Sequence, residues 1–384
     1  MASAPPVVIV GSGLAAWSVV RELRKLDAQR PITLICRDNG DFYSKPLLSN
    51  ALASGKTAAQ LVGTTCADMA QTLQVQVMAH TEVSAIDTAQ AVVHTHAGAL
   101  PYGQLVLALG ADPVRLPLAG DAAGRVLSVN DLQDYARFRA QLSQARRVSV
   151  IGAGLIGCEF ANDLVLAGHP VDLIDPGPQP LGRLLPPEAG GALQQALADA
   201  GVRFHLGTSV QAVSTEAEGL RVHLANGQSL HSDVVLSAVG LRPRIALAQA
   251  AGLQTARGIV VNRQLQTSVP NIYALGDVAE VDGQWLPFVM PLMHAARALA
   301  AHLAGQTALL RYPAMPVVVK TPAAPVVVAP PPPGASGRWH TVHSDQGLEA
   351  HWLDDQGALL GFALVGAATA RKNALQKHLP PVLA

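Results

Sequence analysis

The sequence predicts an α/β protein with two Rossmann-like dinucleotide-binding domains and a small α+β domain at its C-terminal end, and three observations carry that expectation. Two glycine-rich turns each follow a short apolar run: Gly11-Ser12-Gly13-Leu14-Ala15-Ala16 after Val7-Val8-Ile9-Val10, and Gly152-Ala153-Gly154-Leu155-Ile156-Gly157 after Val148-Ser149-Val150-Ile151. Each turn opens a stretch with helical spacing that leads into another strand-like run. A third region, from about residue 313 onward, leaves this alternation and carries the tract Pro330-Pro331-Pro332-Pro333-Gly334, a stiff polyproline loop rather than a helix or central strand.

In each turn the first glycine permits the tight bend, the second lets the main chain approach a pyrophosphate, and the third small residue lets helix and strand pack closely. Free N–H groups at the new helix start then face the phosphates. Two such turns imply two bound dinucleotides, and two dinucleotides suggest electron transfer between them.

The first unit reads as strand 7–10, helix 14–27 and strand 32–36, followed by a polar loop, 38–50, in which Pro46 biases Lys45 toward an extended conformation. Strand-like runs follow at 75–78, 82–87, 91–94 and 104–109, and Gly110-Ala111-Asp112-Pro113 is a natural exit from the domain. A helix at 131–144, with Asp131 as its cap, precedes the second unit: strand 147–151, helix 155–167 and strand 171–175 ending in Asp175. Runs at 202–206, 219–224 and 233–239 close it near Gly240-Leu241-Arg242-Pro243. Asn271 to Asp277 reads as a returning strand with a Gly-Asp turn, followed by a helix at about 291–304. The expected domains are therefore 1–112 and 243–312 as one interrupted unit, 113–242 inserted within it, and 313–384. A length of 384 residues fits two or three domains.

The balance of 27 basic against 27 acidic residues gives no global pull toward nucleic acid or a polybasic membrane anchor. The apolar start, residues 5–20, lacks a basic leader and contains the phosphate-turn glycines, so it reads as strand plus helix rather than a secretory signal. No stretch has the roughly 18–20 uninterrupted apolar residues of a spanning helix. Cys36, Cys66 and Cys158 are far apart in sequence and form no C-x-x-C or metal spacing, which fits a reducing, cytoplasmic setting and no metal site. His94-x-His96 falls in a strand-like run where surface placement is the expected role, and no G-x-S-x-G elbow supports hydrolase chemistry.

The ordered motifs GSGLAA, YSKP, LALGAD, GAGLIG, VGLRP, IYALGD and VKTP resemble the two-dinucleotide flavoprotein reductases, and IGCEFANDL, MPLM and MPVVVKTPAAP resemble the rubredoxin reductases within them. The resemblance covers essentially the whole chain. It implies the glutathione-reductase-like two-dinucleotide fold, with an FAD domain interrupted by an NADH domain and a small C-terminal domain covering the flavin. Electrons would pass from NADH through FAD to rubredoxin, a small and typically acidic iron-sulfur carrier, by way of a transient complex with a monomer. The onward route is an alkane monooxygenase or an oxygen-defence pathway.

On this resemblance the first turn, Gly11, Ser12, Gly13, Leu14 and Ala15, holds the FAD pyrophosphate, while Gly152, Gly154, Leu155, Ile156 and Gly157 hold that of NADH. The acid expected after the second strand of the first unit falls near Cys36, which leaves Arg37 for the adenosine side and Asp38 for the ribose or a solvated loop. Asp175 can accept hydrogen bonds from the adenosine ribose and would repel a 2′-phosphate, which favours NADH over NADPH. Lys45, Glu159 and Lys320 are the expected catalytic residues. The lysines stabilise negative charge arriving on the flavin. Glu159 either orients the nicotinamide carboxamide or partners the helix dipole. Asp277 after Gly276 is expected on the ribityl chain, with Val83, Gly110, Gly240 and Val289 as further cofactor contacts, and the family's lysine after Leu48-Ser49 is Asn50 here.

Disulfide-reducing relatives carry a cysteine pair after the first β-α-β unit, and peroxide-reducing relatives a single cysteine near Phe42-Tyr43-Ser44; neither thiol is present. Electrons reaching the flavin are therefore expected to leave one at a time to a docked carrier, with Lys45 and Lys320 available to steer it. Two other acceptors stand beside free rubredoxin: the rubredoxin module of a flavorubredoxin, and a ferredoxin feeding an oxygenase. A reading from another class is a flavin-binding regulatory or scaffold protein of the apoptosis-inducing-factor type, although the long basic insertions expected of that role are missing.

Overall fold

Two parallel sheets, each with a glycine turn at the end of a central strand, organise the chain. The computed structural model describes residues 6–344 and 347–384. The first sheet has the order Ile272–Ala274, Gln104–Leu107, Val7–Val10, Ile32–Ile35, Gln76–Met78, with every pairing parallel. Its central strands are buried throughout, as runs covered on both faces must be. Helices Leu14–Leu26 and Val289–Leu303 pack together over it. The second helix begins two residues before the expected start, and Pro291 fits in its first turn because no intrahelical N–H bond is needed there.

The second sheet has the order Val202–Leu206, Val171–Asp175, Val148–Ile151, Val234–Ser237, again all parallel. The chain leaves the first sheet and returns to it side by side, through the antiparallel strands Ala111–Pro113 and Leu241–Pro243. Helix Leu132–Leu142 has the expected cap, with the Asp131 carboxylate accepting from the Asp134 N–H.

Beyond residue 313 the chain forms a five-stranded antiparallel sheet, ordered Val317–Val319, Val326–Ala329, Leu359–Val365, Gly347–Leu353, Arg338–Ser344. Val319, Val326, Val328, Leu348, Ala350, Ala363 and Val365 share one apolar core with the second parallel sheet. The C-terminal region is therefore fused to that unit by burial of hydrophobic surface. The stretch 38–50, expected as a loop, contains the short strand Phe42–Tyr43 and a 3₁₀-helix, Lys45–Asn50. Pro46 stands in its first turn, where its fixed φ and missing N–H suit a helix start.

The turn glycines are required by space. Gly11 and Gly152 have φ of +121° and +102°, and a Cβ on Gly11 would lie 2.3 Å from the Ala108 carbonyl oxygen. A Cβ on Gly157 would lie 1.8 Å from the Gly152 carbonyl oxygen. Gly157→Ala should accordingly lower stability by roughly 1–3 kcal/mol through overpacking. Unchanged thermal and denaturant midpoints in that variant would contradict the close helix–strand contact.

Candidate active site

Both turns leave open space where a diphosphate would sit. At Gly13 and at Gly154, both exposed, an added Cβ meets nothing within 4 Å, and neither helix start is capped by a side chain. The N–H groups of Leu14 and Ala15, and of Leu155 and Ile156, lie in those uncapped first turns, so the geometry fits an anionic bridge at each.

At the first turn Ser12 Oγ donates to Asp38 Oδ1 at 2.6 Å, and the same oxygen accepts the Gly40 N–H at 3.0 Å. Asp38 is thus brought back to the turn from three residues beyond the end of strand Ile32–Ile35, past the position that Cys36 occupies, while Arg37 is exposed beside it. At the second turn the Asp175 carboxylate accepts the N–H of Ala153 and of Gly177, each at 2.7 Å. Its acceptor oxygens are fixed at the rim of the open space over Gly154.

Between the turns, helix Leu155–Leu166 presents three buried polar side chains. Glu159 Oε2 accepts from Ser49 Oγ at 2.5 Å and lies 3.2 Å from Lys320 Nζ, while Oε1 accepts the Lys320 main-chain N–H at 2.9 Å. Its side chain is 2% exposed and that of Lys320 36%. Lys320 Nζ also donates to the Pro46 carbonyl, and Asn50 Nδ2 to the Lys320 carbonyl at 3.0 Å. Asn162 Oδ1 accepts the Ala323 N–H, and Asp163 accepts those of Leu52 and Ala53. Of the two roles open to Glu159, this places it at a junction of three chain regions rather than as a free partner of the helix dipole. Ser49, Asn162 and Asp163 were not singled out from sequence, although three polar residues at i, i+3 and i+4 in an otherwise apolar helix were a readable signal.

A second charged group gathers under the first turn. Lys45 Nζ donates to Asn130 Oδ1 at 3.1 Å, and Arg244 holds Asp112 through Nε at 2.7 Å and the Leu109 carbonyl through Nη1 at 2.8 Å. Burial pulls the Lys45 ammonium below its ordinary range, with Asp277 opposing that shift. Burial pushes the Asp277 carboxyl up, with Lys45 and then Arg244 opposing. The half-buried pair therefore sits in a desolvated cradle. A Cβ on Gly276, whose φ is +77°, would lie 3.0 Å from Ala15 Cβ, which puts Asp277 at the base of the first turn. Gly110 is near Arg244, Gly240 borders open space, and Val289 is exposed at its helix start. The Val83 side chain is packed in the first core.

The chain matches the pyridine nucleotide-disulphide oxidoreductase family over residues 5–300. It belongs to that family. A second match, to the rubredoxin binding C-terminal domain, covers residues 309–379. The chain is 48% identical to the rubredoxin-NAD(+) reductase of Alcanivorax borkumensis over 98% of its own length and 99% of the relative's. It is 41% identical to the nitric oxide reductase FlRd-NAD(+) reductase of Aeromonas hydrophila, covering 97% and 96%. Among solved structures it is similar to the reductase of a covalent putidaredoxin reductase–putidaredoxin complex, with a TM-score of 0.88 at 30% identity, covering 98% and 94%.

In this oxidoreductase all three thiols are free. Cys36 and Cys66, distant in sequence, are neighbours in space: a Cβ on Gly40 would lie 2.7 Å from Cys66 Sγ and 3.3 Å from Cys36 Sγ. Burial first, then the charge and hydrogen bond of Asp38, push the Cys36 thiol up to about 12, and burial also raises Cys66 and Cys158. Thiols this weakly acidic carry little thiolate near neutral pH. N-ethylmaleimide at about pH 8 should therefore modify the native protein far more slowly than a free thiol of ordinary pKa, with the rate still rising at about pH 10. Electron transfer should survive the treatment; one fast-reacting cysteine whose loss abolishes turnover would contradict this.

Proposed function

We propose that the protein is an NADH-dependent flavoprotein reductase that delivers electrons to rubredoxin. The observation that carries this reading is the Ser49–Glu159–Lys320 junction, because it brings the helix of the second dinucleotide turn, the Lys45–Asn50 segment beside the first and the C-terminal region to one place. Residues 1–112 and 243–312 would form the FAD domain, 113–242 the NADH domain, and 313–384 the domain that covers the flavin and meets the carrier. The names of the two curated relatives, each similar over nearly the whole chain, support an NAD-linked reductase and a rubredoxin-type acceptor.

In this reading Gly11, Ser12, Gly13, Leu14 and Ala15 hold the FAD diphosphate, with Asp38 and Arg37 toward the adenosine and Asp277 and Lys45 toward the ribityl chain and ring. When bound, FAD accepts the hydride of NADH, leaving NAD⁺, and gives up the two electrons singly. Gly152, Gly154, Leu155, Ile156 and Gly157 hold the NADH diphosphate, and Asp175 accepts from its adenosine ribose. Glu159 holds Lys320 in place, and the Lys320 and Lys45 ammonium groups stabilise the negative charge that hydride arrival creates. With no thiol relay, each electron leaves directly to a docked carrier. A cytoplasmic setting supplies the nucleotide donor, and among the described residues no helix is long and apolar enough to cross a membrane.

Steady-state NADH oxidation with purified rubredoxin and a cytochrome c reporter should exceed the rate with a ferredoxin by at least about tenfold. Equal rates would overturn the choice of acceptor. A second reading, favoured by the Aeromonas hydrophila relative, has a rubredoxin module within a larger flavoprotein as the acceptor, and the same assay with that flavoprotein added as a third acceptor ranks the two.

Asp175→Ala with Pro176→Arg should move the preference toward NADPH by about tenfold or more, measured as the ratio of kcat/KM for the two nucleotides. An unchanged ratio would remove the ribose contact from Asp175.

A further inference from the structure

We propose that Asp163 is a positioning residue for hydride transfer, holding the Lys45–Asn50 turn, and through it Ser49, Glu159 and Lys320, in register with the flavin. This rests on the reading that Glu159 and Lys320 lie against the flavin.

Asp163 is 3% exposed, and among the described residues it forms no salt bridge. Its two oxygens accept two successive main-chain N–H groups, Oδ2 from Leu52 at 2.8 Å and Oδ1 from Ala53 at 3.0 Å. Burial pushes its carboxyl above the ordinary aspartate range, against the pull of those two bonds and of the Lys320 charge. A carboxylate so placed costs stability in its ionised form. An apolar residue would avoid that cost but leave two buried donors unmatched. Asparagine offers one acceptor and would set its NH₂ against the second N–H. Only a carboxylate satisfies both.

The segment it grips leads directly to the reacting region. Leu52 lies two residues beyond Asn50, which bonds the Lys320 carbonyl, and three beyond Ser49, which bonds Glu159. The far side of the same turn is held at the Lys56 carbonyl by Tyr135 Oη at 3.0 Å and Arg139 Nη1 at 2.8 Å. Asp163, Tyr135 and Arg139 all come from the nucleotide-binding insert, whereas the gripped turn belongs to the unit of the first sheet. Asp163 stands at the end nearest Ser49, where a displacement reaches the Glu159 oxygens within three residues. Misplacement by a fraction of an ångström at reacting groups is enough to slow a hydride step severalfold or more.

The test uses the FAD-loaded enzyme. Asp163→Asn should keep its flavin content and hold the Kd for NADH within about twofold. The rate of flavin reduction at saturating NADH should fall by about tenfold, and the flavin midpoint potential should move to a more negative value because the Lys320 ammonium is no longer held fixed. The double variant with Ser49→Ala should lose less than the product of the two single losses, since both break one chain of contacts. A reduction rate and potential equal to those of the parent enzyme would overturn the proposal. Should Asp163→Asn fail to retain FAD, Asp163→Ser, a small neutral side chain that cannot reach both N–H groups, reads the same two quantities, and parental values there overturn it equally. Glu159→Gln separates the two levels: if it leaves rate and potential untouched, the placement of Glu159 beside the flavin falls. If it slows reduction while both Asp163 variants do not, only the positioning role falls.

Discussion

The polar face of helix Leu155–Leu166 is the constraint on which the arrangement of the three regions depends. Glu159, Asn162 and Asp163 are all buried, and each accepts from groups outside its own unit: Ser49 and Lys320, Ala323, and Leu52 with Ala53, while among the described residues the Asn162 Nδ2 is left without a partner. Hydrophobic burial is non-directional and tolerates sliding. Hydrogen bonds to buried carboxylates do not, because a shift of an ångström leaves a desolvated group unpaired at a cost of roughly 1–3 kcal/mol. The apolar core shared by the second sheet and the C-terminal sheet supplies cohesion, and these bonds supply register against the Lys45–Asn50 segment.

The two glycine turns are geometric repeats that differ in how an acid reaches them. Asp175 ends its strand and bonds straight to the Ala153 N–H. In the first unit that position is Cys36, whose side chain turns into the core. The chain then bends at Gly40, with a φ of +78°, and Asp38 folds back to Ser12. A two-residue detour thus restores a carboxylate to the turn. The bend also packs Gly40 against both Cys36 and Cys66, which accounts for two cysteines meeting where no motif pairs them.

The strand–turn–helix units were legible because a buried parallel strand and an amphipathic helix each impose a period, and glycine marks the turn between them. The Lys45–Asn50 helix was not, since a 3₁₀ segment of two turns imposes no apolar period and Lys-Pro-Leu-Leu-Ser-Asn reads as a loop. Helix Pro187–Asp199 carries Gly190 and Gly191, which lower its intrinsic helicity, and forms against the C-terminal sheet where tertiary packing overrides propensity. Lys45, Glu159, Lys320 and Asp277 were singled out from sequence, whereas Ser49, Asn130, Asp163 and Arg244 were missed. The missed residues act by holding others, and a holding partner is defined by where distant segments meet rather than by local pattern.

The Glu159–Lys320 pair shows why such partners matter more for geometry than for stability. One member is dry and the other is a third exposed, so the charges attract across a boundary between protein and solvent where effective screening is intermediate. An exposed pair contributes about 0–1 kcal/mol, and a buried one can cost more in desolvation than its attraction returns. Net stabilisation therefore does not explain placing a glutamate in this helix. Glu159 fixes Lys320 twice, at its main-chain N–H and its ammonium, so the amine is held from both ends of its side chain. A lysine tethered only at its backbone would sample many rotamers. The double hold removes that freedom in the resting protein, and Asn50 adds to it by donating to the Lys320 carbonyl just beyond strand Val317–Val319.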